Sequence, residues 1–208
     1  QTDAYLRITV SRGAGEIGLD PGLCPRATVV IMAKPLHPSP PVLSRDGVSL
    51  TVANTRRNLP EALSPQIKST NFLNNILAKR ESIAAGTFDS LFLNWKDELT
   101  ECTVSNLFFI SGKTLHTPAL DCGILDGITR TIVMTLAQEE GVPVREGHYH
   151  LADLQRAEEC FLTNTSMEIM PVNRVDSFAI GDGRPGSLTR RLQTRFADSR
   201  TRFLEPPS

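Results

Sequence analysis

Strand-type runs outnumber helix-type runs in this chain, and the two kinds do not alternate. A doubly wound parallel sheet needs strand and helix in regular succession, so the order of segments points to an α+β fold instead. Residues 5–11 (YLRITVS) mix β-branched and aromatic side chains and break at Arg12-Gly13, as a strand leaving into a loop does. Residues 27–33 (ATVVIMA) are a continuous apolar run of buried-strand length. Residues 34–41 (KPLHPSPP) hold too much proline for regular structure. Asp46-Gly47 turns into a further strand at residues 48–53, and residues 55–65 read as a connector. The domain boundary is expected near Asn54.

Beyond Gln66 the period lengthens. Leu73, Ile76, Leu77, Ile83 and Ala84 recur at helical spacing until Gly86, which predicts a helix over residues 69–85. Residues 90–94 and 107–110 read as strands, with turns at Lys96-Asp97 and Ser111-Gly112. A second helix is expected from Gly127-Ile128 to Glu140, closed by Gly141. A short strand follows at residues 160–162, then another from Glu168. Leu188, Leu192 and Phe196 stand four apart on a last helix over residues 186–198.

Charge and cysteine content narrow the classes of function. A formal net charge of -1 over 208 residues gives no basic face for nucleic acid or an anionic membrane. No apolar run approaches the ~20 residues of a membrane helix. Cys24, Cys102, Cys122 and Cys160 form no CxxC pair, so no metal site is expected, and free thiols in a reducing cytoplasm are. The chain opens on QTDAYLRITV without an initiator Met, and residues upstream of Gln1 are expected in the complete protein.

Three segments have the composition of a reactive site. Lys68, in Gln66-Ile67-Lys68-Ser69, enters the first helix beside apolar neighbours. Desolvation there would favour the neutral amine that Schiff-base formation requires, although this segment alone fits a solvated helix-start lysine better. Glu101 lies in a small, polar turn, Leu99 to Asn106, between two strands. It can hold a cationic ring nitrogen, or simply decorate a surface turn. Asp126-Gly127-Ile128-Thr129-Arg130 opens a helix whose free N–H groups attract an anion. Thr163-Asn164-Thr165-Ser166 adds hydroxyls, an amide and turn N–H groups after a strand. Each of these also fits an ordinary cap or turn.

Taken in order, IKSTNFLNNILAKRESIAAG, LTECTVSNLFF, GILDGITR and FLTNTSMEIMPV resemble the motifs of the class IV, fold-type IV pyridoxal-phosphate enzymes. That family includes branched-chain aminotransferases, D-amino acid aminotransferases and aminodeoxychorismate lyase. The resemblance covers nearly the whole chain. It implies a large C-terminal cofactor-binding domain over residues 54–208, and over residues 1–53 the tail of a smaller α+β domain whose upstream part is missing. It assigns pyridoxal 5'-phosphate as cofactor and Lys68 as the catalytic lysine that carries it and shuttles a proton. Glu101 resembles the carboxylate facing the pyridine nitrogen, and Leu125 the side chain packed on the ring. Ile128 and Thr129, with Asn164 and Thr165, resemble the two phosphate-binding pairs. The N–H groups of Thr165 and Ser166 resemble the turn that receives a substrate carboxylate.

The same resemblance bears on substrate and assembly. Tyr5 and Arg7, followed by Gly15 to Pro21, are similar to the branched-chain group, where this tyrosine and arginine help hold the α-carboxylate. Ile17 and Leu19 replace the basic pair of the D-amino acid group. ECTVSN instead is similar to the D-amino acid enzymes or the lyase, and Phe72 stands where many branched-chain enzymes carry a tyrosine. The family's arginine on the phosphate has no match here. The reading is transamination of a branched-chain or other apolar L-amino acid with 2-oxoglutarate, in a homodimer. D-amino acid transamination, the lyase reaction and a non-catalytic truncated remnant are its alternatives.

Overall fold

A computed structural model describes residues 3–204. The chain divides into two compact units, Gln1–Pro38 and Ser39–Ser208. In the first, β1 (Ala4–Ser11) and β2 (Thr28–Pro35) pair antiparallel, with Ile8 opposite Ile31. Their β-branched residues fit the pleat. Residues 27–33 do not form a buried strand, however: β2 is exposed along its whole length. A two-stranded hairpin has no second layer to cover its faces, so an apolar run does not become a core by composition alone.

The second unit opens on α1 (Pro41–Asp46), with proline at its first position, where the missing N–H costs no hydrogen bond. The proline-rich stretch is therefore bounded by regular structure: Pro35 ends β2 and Pro41 starts α1. β3 (Val48–Val52) follows. It pairs parallel to a later strand on each side, so it belongs to the sheet of the second unit. The compact units consequently divide upstream of the boundary expected near Asn54.

α2 (Leu73–Ala85) begins later than the expected helix and stops where Gly86 takes a left-handed φ of 67°. Its buried side chains are Ala78 and Ser82, and Ala78 packs with Ala53 and Phe92. Leu73, Ile76, Leu77 and Ile83, the face expected to be covered, are exposed. Next come β4 (Asp89–Leu93), β5 (Leu99–Cys102), β6 (Asn106–Ser111) and β7 (Thr114–Pro118). α3 (Ile128–Glu139), β8 (Val144–Gly147) and α4 (Leu151–Gln155) follow. β9 (Glu159–Asn164), β10 (Glu168–Val175), β11 (Phe178–Ala179) and α5 (Ser187–Asp198) complete the unit. The sequence reading did not separate β5, β7, β8 or α4.

The nine-stranded sheet runs β11-β10-β3-β4-β5-β6-β7-β8, and β9 pairs with both β10 and β6. β9 therefore closes β10, β3, β4, β5 and β6 into a ring, leaving no edge among those strands. One apolar cluster draws on every strand of the ring, from Leu50 and Leu91 through Leu99 and Phe109 to Leu162 and Met170. A second cluster takes the alternate residues Phe108, Ile110 and Phe161 and packs them against Val133 and Leu136 of α3 and Leu192 of α5. Side chains two apart share a face, so adjacent Phe108 and Phe109 serve different clusters. Phe108 stacks on Phe161, ring centroids 5.1 Å apart. Along α5, Leu188 and Phe196 flank Leu192 against this cluster, as their spacing predicts. Mixed parallel and antiparallel pairing with helices packed around it is the α+β class expected.

Candidate active site

A cavity of about 400 Å³ lies within the second unit, in the range of small-molecule sites. The lysine-bearing loop, the β5–β6 turn, the start of α3 and the end of β9 converge on it. Lys68, Glu101, Leu125, Ile128, Thr129, Asn164 and Thr165 all line it, and so does Phe72. Residues far apart in sequence thus meet because β5, β6 and β9 are neighbours in the ring.

Glu101 is a strand residue, not a turn residue. It ends the β5 side of the only β5–β6 pair among the described residues, opposite Asn106. Only 5% of its surface is exposed. Arg57 Nη2 donates to its Oε1 at 2.6 Å. Asn106 Nδ2 and the Leu125 N–H donate to Oε2 at 3.2 and 3.0 Å. Burial pushes the Glu101 carboxyl up to about 7, against the pull of the Arg57 charge, the Leu125 N–H and Lys68. A carboxylate offers about four lone-pair positions, and three donors are in place. One position remains for a donor in the cavity, and the three others fix its direction.

Arg57 was not found from sequence. It lies in the stretch read as a connector, and no local pattern marks it. It is the hub of this wall: Nε donates to Gly123 O at 3.3 Å, and Nη1 to Asn74 and Asn75 Oδ1 at 3.3 and 3.4 Å. Its guanidinium also lies over the Phe92 ring, 5.3 Å from the centroid. A planar fork with five donors reaches α2, β5 and the loop before α3 at once, which a lysine does not do.

Lys68 sits in the loop before α2 rather than at a helix start, and it is exposed in this chain. The desolvation expected from its apolar neighbours is not present among the described residues, since the helix face beside it is itself exposed.

At the other side of the cavity, α3 starts at Gly127 without a side-chain cap. Its first N–H groups and its dipole are thus left for an anion. A Cβ on Gly127 would collide with Asn106 Oδ1, so glycine is what allows Asn106 to reach both Glu101 and Leu125 O. Ser105 Oγ and Thr163 Oγ1 are buried on the cavity wall with no hydrogen-bond partner. Buried hydroxyls are normally paired. Two orphans beside a helix N-terminus fit an oxyanion ligand, which accepts hydrogen bonds only.

Of the remaining site candidates, Ser166, Tyr5 and Arg7 are not on the cavity wall, and Asn164 has a structural role besides. Asn164 Oδ1 accepts from the N–H groups of Ser166 and Met167 at 3.0 and 2.9 Å, which shapes the β9–β10 turn. The Ser166 N–H is therefore engaged, and Ser166 is not on the cavity wall. Arg130 points away from the cavity, to Pro118 O at 3.1 Å and to Glu146. Tyr5 and Arg7 are exposed residues of β1 in the first unit, and every lining residue of the cavity comes from the second.

The family Amino-transferase class IV matches residues 1–175. The chain is 39% identical, over 97% of its length, to the "Putative branched-chain-amino-acid aminotransferase" of Methanocaldococcus jannaschii. It is 33% identical, over 92%, to the aminodeoxychorismate lyase of Bacillus subtilis. A structure of the T.th. branched-chain amino acid aminotransferase with pyridoxamine 5'-phosphate superposes at a TM-score of 0.90, with 28% identity over 94% of the chain. The chain spans 69%, 64% and 65% of these three proteins respectively. With the family matched over most of the sequence and its motif residues gathered on one cavity, the chain belongs to the class IV aminotransferases.

Proposed function

We propose that this chain acts as a pyridoxal-phosphate-dependent aminotransferase on a branched-chain or other apolar L-amino acid, with 2-oxoglutarate as acceptor. The observation that carries the reading is the convergence of Lys68, an oriented Glu101 and an oxyanion cradle on one cavity. When bound, pyridoxal phosphate supplies an electrophilic carbonyl and an electron-withdrawing ring. Lys68 is assigned covalent attachment and proton transfer at the substrate α-carbon. Glu101 is assigned a hydrogen bond to the ring nitrogen, held in line by Arg57, Asn106 and the Leu125 N–H. Leu125, on the cavity lining, is assigned packing against the ring. Ile128, Thr129, Asn164 and Thr165 are assigned the phosphate, and the orphan hydroxyls of Ser105 and Thr163 are added to them.

The substrate assignment is supported by the branched-chain name of the archaeal relative and by the apolar Ile17 and Leu19, both fully exposed in the first unit. The Thr165 N–H is assigned the carboxylate at the cavity, and Tyr5 and Arg7 are assigned a carboxylate reached across a subunit boundary. A homodimer is supported by the exposed apolar faces of the β1–β2 hairpin and of α2. Four free cysteines are consistent with a cytoplasmic location. No helix among the described residues is long and apolar enough to cross a membrane.

The test is a panel of amino donors given to the purified protein, with sedimentation alongside. L-leucine is expected to turn over faster than D-alanine, in an active dimer. Faster turnover of D-alanine, or activity on aminodeoxychorismate alone, overturns the substrate. An active monomer overturns the assembly, and absence of any cofactor absorbance points to a non-catalytic remnant.

A further inference from the structure

A second cluster of ligating side chains, none of them on the cavity lining, has no part in the chemistry above. Glu98 stands just before β5, Cys122 ends the 3-10 turn Leu120–Cys122, and His148 follows β8. Their donor atoms all lie within 4.8 Å of one another. His148 Nδ1 is 3.1 Å from Glu98 Oε1 and 3.5 Å from Cys122 Sγ. Around a tetrahedral zinc ion, with N and O at about 2.0–2.1 Å and S at about 2.3 Å, neighbouring ligands stand about 3.3 Å (N to O) and about 3.6 Å (N to S) apart. His148 Nδ1 already holds nearly that spacing to the carboxylate and to the thiol without an ion. The expectation of no metal site rested on cysteine pairs, and this cluster uses a single cysteine.

The surroundings are those of a supported ligand set. Asn94 Nδ2 donates to Glu98 Oε2 at 2.7 Å, which leaves Oε1 directed at the cluster. The same amide reaches Cys122 O at 3.3 Å, and Asn94 Oδ1 accepts from the Glu98 N–H at 3.0 Å. The other nitrogen of His148, Nε2, is 3.3 Å from Asp121 Oδ2. A carboxylate behind a histidine fixes the tautomer that leaves the opposite nitrogen free to ligate. Glu98 and Cys122 are buried and His148 is exposed, so the cluster is closed on the protein side and open to solvent on the other.

We propose that Glu98, Cys122 and His148 form a three-ligand zinc site, with the fourth position open to water and with Asn94 and Asp121 orienting the ligands. One carboxylate, one thiolate and one imidazole are the mixed donor set that zinc takes, whereas magnesium and calcium take oxygen. On binding, Zn²⁺ replaces the thiol hydrogen of Cys122, which leaves to solvent as a proton. His148 coordinates through the Nδ1 lone pair and keeps its proton on Nε2, towards Asp121. No electron is transferred. The ion would tie the segment leading into Glu101 to the turn leading into Leu125, two lining residues of the cavity.

The experiment is calorimetric titration of chelator-stripped protein with Zn²⁺, together with Co²⁺ as a spectroscopic stand-in. One ion per chain is expected, with a thiolate-to-cobalt charge-transfer band and tetrahedral ligand-field bands. Cys122→Ser should remove the charge-transfer band. His148→Ala should weaken binding at least tenfold, and Asp121→Asn by about 10- to 100-fold. Cys24→Ser should change nothing. Zn²⁺ should raise the melting temperature of the unaltered protein and not that of His148→Ala. If Cys122→Ser fails to fold, His148→Ala still decides, because that side chain is half-exposed. Absence of saturable binding overturns the site, and binding by the Cys122→Ser and His148→Ala proteins as tight as that of the unaltered protein means an adventitious ion only and overturns it too.

Discussion

Arg57 Nη2 and Glu101 Oε1 lie 2.6 Å apart, and both side chains are more than nine-tenths buried. Neither charge is stable there without the other, because the desolvation cost of a lone buried ion is several kcal/mol. The pair joins a loop before α2 to β5 and aims the carboxylate at the cavity.

Arg57→Ala should therefore destabilise the protein, and more at pH 8, where the Glu101 carboxyl is ionised and needs its buried partner, than at pH 5, where it is protonated. Equilibrium denaturation measures it. A loss below about 1 kcal/mol at pH 8, the scale of an exposed pair, would mean that the ion pair is solvated.

Lys68→Ala should abolish the visible absorbance band of the bound cofactor, the band that borohydride removes, and lower activity by several orders of magnitude. Folding should be unaffected, because Lys68 is exposed in a loop. An unchanged band would move the attachment to another lysine.

Glu101→Gln should slow the half-reaction by a few kcal/mol, since an amide does not hold a protonated ring nitrogen as a carboxylate does. The same variant tests the raised pKa. In cofactor-free protein the folded carboxyl titrates near 7 and the unfolded one near its ordinary 4.5. Between those values the folded state binds more protons, so this group's contribution to stability is present at low pH and lost as pH rises towards 7. Glutamine removes that slope, so denaturation midpoints at pH 5 and pH 8 should show the variant gaining on the parent as pH rises. Parallel profiles would show that Glu101 stays ionised throughout.

Ser105→Ala separates a ligand hydroxyl from a structural one. Its Oγ is buried and unpaired, so its loss should leave the cofactor-free protein equally stable or up to about 1 kcal/mol more stable. Retention of pyridoxal phosphate during dialysis should fall. Gly127→Ala should weaken retention further, because the new methyl collides with Asn106 and disturbs the Glu101 wall. Unchanged retention in both variants would place the phosphate elsewhere.

Lys68, Glu101, the α3 start and the Asn164-Thr165 turn were singled out by their ordered resemblance to family motifs, since each alone fits an ordinary turn or cap, and the fold brings all four to one cavity. α3 and α5 were legible from local spacing: a helix buries residues three and four apart, and Leu188, Leu192 and Phe196 carry that period. Closure of the ring was not legible. It depends on β9 lying between β6 and β10, and strand partnership is set by packing between distant segments. Arg57 became a site residue only when the fold brought Gly123, Asn74 and Glu101 within reach of one guanidinium. Exposure was also decided in three dimensions. The apolar run at residues 27–33 and the Leu73, Ile76, Leu77 and Ile83 face resemble core in sequence, yet both are open to solvent, because burial requires a second surface that hydrophobicity alone does not supply.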